Sequence, residues 1–169
     1  MFHKLLYVML ICTALAACAG RPPAPSGQLE HSTEPSRDSR SLPQRSEALL
    51  LALLALGVDY HDGGRSPITG FDCSGLVAHV FEQAYGIRLP RNAQGQSEAG
   101  IAVAGDQLEP GDLVFYDTLG RPNSHVGIYV GEGRFVHAPK PGASVRVESL
   151  RAAFWSKRFS GARRIEPAL

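Results

Sequence analysis

The apolar positions of this chain change their spacing several times, and each change marks an element. Leu5 to Leu15 is a nearly unbroken apolar run behind Lys4, too short to span a bilayer. From Ala19 to about Gln44 the pattern disappears into Pro, Ser, Arg and mixed charges. Such a stretch cannot bury a core and is expected to be disordered. Glu47 to Leu56 is apolar almost all round, with Ser46 as a cap and Gly57 as a stop, which predicts a buried helix. Leu76, Val77, Val80, Phe81 and Ala84 recur at helical spacing. They predict a helix from about Cys73 to about Tyr85, with Asp72 as N-cap and Gly86 as its end. His79 lies off that stripe and reads as a surface residue. Ala93 to Ala99 suits a short helix ended by Gly100. After the turn Glu109-Pro110-Gly111-Asp112 the period becomes that of strands: Leu113–Tyr116, His125–Val130, Arg134–Ala138, Ser144–Val147 and Phe159–Ile165. Helices come first and adjacent strands afterwards. That order predicts an α+β fold, with N-terminal helices packed on a C-terminal antiparallel sheet.

Cys73 sits in the first turn of its predicted helix. Free backbone N–H groups and the positive end of the helix dipole favour a thiolate there, and the thiolate is the nucleophilic form. Position 73 also falls near the apolar stripe, where cysteine serves as a small buried hydrophobe. The segment alone leaves both readings open.

The strands carry the rest of the argument. With Gly131-Glu132-Gly133 as a three-residue connection, Val130 faces Arg134 and His137 faces Gly127. His125 and His137 then share a face as diagonal neighbours, roughly 7–8 Å apart between Cα atoms. Gly127 between them leaves room for the rings to approach. A two-residue loop would shift the register by one and send the rings to opposite faces. The three-residue connection supports a Cys73–His125–His137 triad. In it Cys73 attacks, His125 takes and returns the proton, and His137 orients His125. Cys73, His125 and His137 are also zinc-ligand types. Their spacing holds no paired-ligand motif, so neither a metal nor a cofactor is expected.

Charge narrows the partners. The chain has 17 basic and 16 acidic residues. Lys4 is the one charged residue of Met1–Ala17, so removal of that leader leaves the signs balanced. A nucleic-acid footprint needs a basic excess or patch, and no nucleic-acid partner is expected. Met1 to Ala17 reads as a secretory signal. It ends in Leu15-Ala16-Ala17-Cys18, which resembles the bacterial lipobox. The resemblance implies cleavage before Cys18 and lipidation of its thiol. Several acyl chains exceed what stable anchoring requires. Ala19 in place of Asp after the modified cysteine implies an outer-membrane lipoprotein facing the periplasm. Cys12 leaves with the leader and Cys18 is alkylated, so Cys73 is the one thiol left free. The predicted organisation is a signal peptide over 1–17, a lipidated disordered linker over 18–44 and a catalytic domain over 45–166.

The sequence resembles the NlpC family of cell-wall peptidases, which have a papain-like fold. The resemblance covers about Glu47 to Ile165. It is carried by Tyr60-His61-Asp62-Gly63-Gly64, Gly70-Phe71-Asp72-Cys73-Ser74-Gly75-Leu76-Val77 and Leu89-Pro90-Arg91. Pro110-Gly111-Asp112-Leu113-Val114-Phe115, Ser124-His125-Val126-Gly127-Ile128-Tyr129 and Phe135-Val136-His137-Ala138 complete it. It implies a cysteine endopeptidase acting on peptidoglycan stem peptides at the bond from γ-D-glutamyl to a diamino acid such as meso-diaminopimelate. Cys73 matches the family's nucleophile, His125 its base, His137 its third polar residue and Tyr60 the tyrosine beside the oxyanion site. Asp72 and Ser74 are candidates for holding the stem peptide, although capping explains them nearly as well. An amidase or acyltransferase on the same architecture is the alternative enzyme. A catalytically silent wall-binding lipoprotein is the non-enzymatic one, against which the intact Cys73, His125 and His137 count.

Overall fold

The computed structural model describes residues 37–166, with side chains from residue 45 onward. The expectations placed on Met1–Ala17, on Cys18 and on the linker up to residue 36 lie outside the described residues. The first helix, α1, spans Arg37–Leu54. It therefore begins upstream of Ser46, inside the stretch expected to be disordered. Arg, Leu and Gln in this stretch favour helix, and Ser46 falls within the helix rather than capping it. The helix is also less buried than its composition suggests. It packs through Ala48, Ala52 and the half-buried Leu51, with Ala55 just past its end, while Leu50, Leu53 and Leu54 stay exposed. A stripe of alanines lets α1 approach its neighbour closely, and that decides which face turns inward. No helix among the described residues is long and apolar enough to cross a membrane.

Two short strands follow, β1 (Arg65–Ser66) and β2 (Gly70–Phe71), paired antiparallel. They are too short to show a period and were not visible in the sequence. Helix α2 spans Cys73–Tyr85 with Asp72 as N-cap and Gly86 in the left-handed conformation at its end, as the sequence predicts. Leu76, Val77, Val80 and Phe81 form its buried stripe. His79 is half-buried rather than a free surface residue, because its ring lies 5.2 Å from that of Phe71. Helix α3 covers Ala93–Gln96, with Asn92 capping.

The strands β3 (Ile101–Val103), β4 (Leu113–Tyr116), β5 (His125–Gly131), β6 (Arg134–His137), β7 (Arg146–Ser149) and β8 (Phe159–Arg164) form one sheet. Its order is β3-β8-β4-β5-β6-β7, and every pairing is antiparallel. Strand β7 starts at Arg146, later than the expected Ser144, because Ser144 bridges to Asp59 instead. One face of the sheet joins the α1–α2 core through Leu113, Phe115, Val126, Ile128 and Val136. The other gathers Val114, Tyr116 and Phe135 around Trp155, which sits on the short helix α4 (Ala153–Ser156). Helix α4 has four residues and no side-chain cap, so nothing in the sequence announces it.

The β5–β6 hairpin has the register the sequence predicts, reached by another route. Ile128 faces Val136 and Tyr129 faces Phe135. The tip, however, is a two-residue turn at Glu132-Gly133, with Gly131 paired to Arg134. Both turn residues have positive φ, 54° and 71°, the geometry of a tight type I′ hairpin. A bulge between Tyr129 and Gly131 inserts the extra residue that restores the parity.

Candidate active site

Asp72 builds the start of α2. Its Oδ1 accepts from the N–H of Gly75 at 2.6 Å, and its Oδ2 from the N–H of Gly63 at 3.1 Å. Arg91 clamps the same carboxylate through both its terminal nitrogens at 2.9 Å and donates on to the Gly64 carbonyl. The Arg91 guanidinium and the Gly75 amide outweigh burial and hold the Asp72 carboxyl below its ordinary pKa. Ser74 donates to the Arg91 carbonyl at 2.9 Å. Gly75 is needed for this closeness, since a Cβ there would lie 1.9 Å from the Gly64 carbonyl oxygen. Asp72 and Ser74 thus direct their hydrogen bonds at their own chain. In the sequence Arg91 stands only within the Leu89-Pro90-Arg91 motif of the resemblance, with no role assigned to it. The two loops that it ties together are close in space and far apart in the chain.

Cys73 emerges from this N-terminus into a cleft of about 300 Å³ that it shares with Tyr60, Asp62, Asn92, Arg121 and Ser124. Burial pushes its thiol above the ordinary pKa. The amides of Val126, Ser74 and Cys73 itself pull the other way, and the Asp72 charge adds to the burial. The helix terminus was expected to favour the thiolate. It does so locally, but desolvation is larger. The Tyr60 phenol is also raised, first by burial and then by the Asp62 and Cys73 charges. It remains a protonated O–H donor at neutral pH.

The histidines lie beside this cleft, beneath Trp155. His125 Nε2 is 2.8 Å from His137 Nδ1, so the predicted pair is made. The space at Gly127 is taken up by Phe135 and the Val136 carbonyl rather than by the imidazoles. Trp155 stacks on His125 at 5.5 Å and meets His137 edge-on at 4.8 Å. Tyr116 and Phe135 close the box. Burial lowers the pKa of His125 to about 4 and, with the adjacent His125 and Arg146, that of His137 to about 2. Both rings are neutral at pH 7. No hydrogen bond joins the Cys73 thiol to His125 among the described residues. The thiol lies against the backbone N–H of Val126, the residue next to His125. Catalytic hydrogen bonds are often long in a free enzyme and tighten once substrate is bound. Nε2 of His125 is engaged by His137, which leaves Nδ1 as the nitrogen able to take a proton. Among the described residues no group of three His, Cys, Asp or Glu side chains could hold a metal ion. Trp155 and Glu148, which the sequence analysis missed, stand directly against the pair. The one tryptophan of the chain was the available hint for Trp155.

Comparison with known proteins agrees with this architecture. The chain is 42% identical over 113 residues to the murein DD-endopeptidase MepH of Escherichia coli K12, covering 65% of this chain and 42% of that protein. It is 43% identical over 112 residues to the gamma-DL-glutamyl hydrolase of Bacillus subtilis 168, covering 66% and 27%. Among solved structures, an NlpC/P60 family protein from Bacillus cereus superposes with a TM-score of 0.67 at 33% identity, over 73% of this chain and 40% of that one. The NlpC/p60 domain of the peptidoglycan hydrolase SagA gives 0.63 at 33% identity, over 72% of this chain and 98% of that one. The chain thus spans less than half the length of the two curated relatives named here. The profile of the NlpC/P60 family matches residues 57–164, which hold Tyr60, Cys73, His125 and His137 together with the whole six-stranded sheet. This chain belongs to the NlpC/P60 family, and its α+β fold is the papain-like fold of that family.

Proposed function

We propose that this protein is a cysteine endopeptidase that hydrolyses peptidoglycan stem peptides. The observation that carries the reading is the pairing of His125 with His137 at 2.8 Å beside a cysteine at a helix N-terminus, in an open cleft. Neutral His125 takes the Cys73 proton at Nδ1 as the sulfur attacks the scissile carbonyl. The proton then passes to the leaving amine, and water releases the acyl-enzyme by the reverse sequence. His137 holds the His125 ring in place. The Tyr60 hydroxyl and the backbone N–H of Cys73 donate to the oxyanion, which needs donors fixed before charge develops. Asp72 caps α2, Asp72 and Ser74 both bind Arg91, and both line the cleft beside Cys73.

The bond implied by the sequence resemblance is γ-D-glutamyl–diaminopimelate. A D,D bond is the second reading, supported by two curated relatives named murein DD-endopeptidases, MepH at 42% and MepS at 41% identity. Mass spectrometry of purified cross-linked and uncross-linked muropeptides after digestion separates the two. Cross-linked dimers converted to monomers with intact stems point to the D,D bond, and shortened stems from dimers and monomers alike point to the γ-D-glutamyl bond. Cys73→Ala should abolish either activity. Release of products by Cys73→Ala overturns the proposal. The lipobox supports a lipid anchor at Cys18 and a place at the outer membrane. Labelled palmitate should enter the parent and not Cys18→Ser.

A further inference from the structure

His125 can accept the thiol proton only if its Nδ1 carries none. In a neutral ring the hydrogen is then on Nε2, and it points at His137 Nδ1. His137 must accept there, so its own hydrogen is on Nε2. The opposite arrangement places a hydrogen on His125 Nδ1 and leaves it useless as a base. Which tautomer the pair adopts is therefore set at His137 Nε2, the far end of the pair. That nitrogen is fully buried and has no hydrogen-bond partner among the described residues. The group it meets is Glu148 on β7, whose Oε1 lies 3.7 Å away. This is electrostatic contact rather than a hydrogen bond.

Glu148 is held on purpose-built supports. Arg146 binds its Oε1 at 2.6 Å, and the indole N–H of Trp155 donates to its Oε2. A cleft lined by Lys140, Arg146, Phe154 and Trp155 opens the carboxylate to water on its other side. Solvent therefore reaches Glu148 while His137 stays dry. A negative oxygen facing Nε2 attracts an N–H and repels a bare lone pair. Burial, with His125 and Arg146, disfavours an imidazolium at His137, so the carboxylate faces a neutral ring.

We propose that Glu148 is a positioning residue that selects the base-competent tautomer of the His125–His137 pair, extending the site to Cys73–His125–His137–Glu148. The inference rests on the proposed cysteine peptidase reading, but its first test needs no substrate. Long-range 1H–15N spectra of the histidine-labelled full chain report the tautomer of each ring directly. Both rings should be Nε2–H at neutral pH in the parent. In Glu148→Ala, and in the isosteric Glu148→Gln, a share of the Nδ1–H form should appear at His137 and His125 together. An Nδ1–H ring at His137 in the parent overturns the proposal, whether or not any variant folds. So do spectra unchanged in both variants.

Activity on muropeptides provides the second arm. Glu148→Ala should lower kcat/KM roughly 10- to 100-fold, with the loss in kcat, since supporting groups of this kind usually act at that scale. A structural role alone would add its effect in any background. A positioning role through His137 should vanish once His137 is an amide, so Glu148→Ala in a His137→Gln background should change kcat less than 3-fold. An equal loss in both backgrounds refutes positioning. Correct tautomers in a parent that cleaves no muropeptide would instead count against the peptidase reading.

Discussion

Two neutral imidazoles buried side by side make this fold acid-sensitive to a degree that can be worked out. Burial brings His125 to about 4, and burial with His125 and Arg146 brings His137 to about 2. In the unfolded chain both titrate near ~6.5. Below that pH the unfolded state binds protons that the native state refuses. The stabilisation is fully present above about pH 6.5 and is lost as pH falls through the folded-state values. At ~1.36 kcal/mol per pKa unit, each ring accounts for on the order of 3 kcal/mol by about pH 4. The pair together reaches roughly 6 kcal/mol, against a typical total stability of about 5–15 kcal/mol. Urea unfolding followed by the fluorescence of Trp155, which stacks on His125, reads this directly. Near pH 5 stability should fall by up to ~2.7 kcal/mol per pH unit from the two rings. His79, also lowered by burial, adds a smaller part in the same direction, so the informative quantity is a difference. His137→Gln removes one titrating ring and should flatten the slope by about 1.4 kcal/mol per pH unit. Asp72 acts lower down, because its carboxyl is held below the ordinary carboxylate range. Equal slopes for the parent and His137→Gln between about pH 6 and 4.5 would refute the neutral buried pair.

Other substitutions test separate parts of the site. His125→Ala should abolish muropeptide cleavage, while His137→Gln should keep a measurable fraction and His137→Leu less, because an amide oxygen still accepts from His125. Tyr60→Phe should lower kcat by about 10²-fold with an unchanged melting temperature, since it removes one oxyanion donor and leaves the backbone one. Gly75→Ala should destabilise the fold by roughly 1–3 kcal/mol in urea titration, as its Cβ would meet the Gly64 carbonyl. Arg91→Lys keeps the charge but loses the two-pronged grip on Asp72. Denaturant midpoints should show it less stable than the parent, and a lysine that matched arginine there would show the clamp to be incidental.

Elements with enough length to show a period were legible in the sequence. Helix α2 matched from cap to stop because Asp72 and Gly86 are local signals acting on residues beside them. Strands β4, β5 and β6 announced themselves by apolar runs between turn residues. The misses are elements whose structure is imposed from a distance. Strands β1 and β2 have two residues each, and β3 exists because β8 pairs with it. Helix α1 failed differently. Its leucines outrank its alanines in hydrophobicity, yet Ala48 and Ala52 are fully buried while Leu50, Leu53 and Leu54 are exposed and Leu51 is only partly covered. Burial followed shape where composition pointed the other way.

The site divides along the same line. Cys73 could be placed from the cap and stop of α2, and His125 and His137 from parity, since only the odd or even count across one hairpin mattered. The real tip is a two-residue turn, which by itself would have sent the rings to opposite faces. The bulge between Tyr129 and Gly131 reverses that result. Gly131 at φ 96° and Glu132 at φ 54° are what the bulge and turn require, and neither states in the sequence which of the two loops will form. Parity survives because a three-residue connection and a two-residue turn plus one bulge insert the same number of residues. Glu148 and Trp155 had no such protection. Their relation to the histidines depends on where β7 and α4 land against β6, a matter of packing between distant segments. The residues proposed to perform the chemistry are thus encoded locally. Those that exclude water from them and set their hydrogens are encoded in the assembled fold, and the tautomer measurement on His137 tests that second layer.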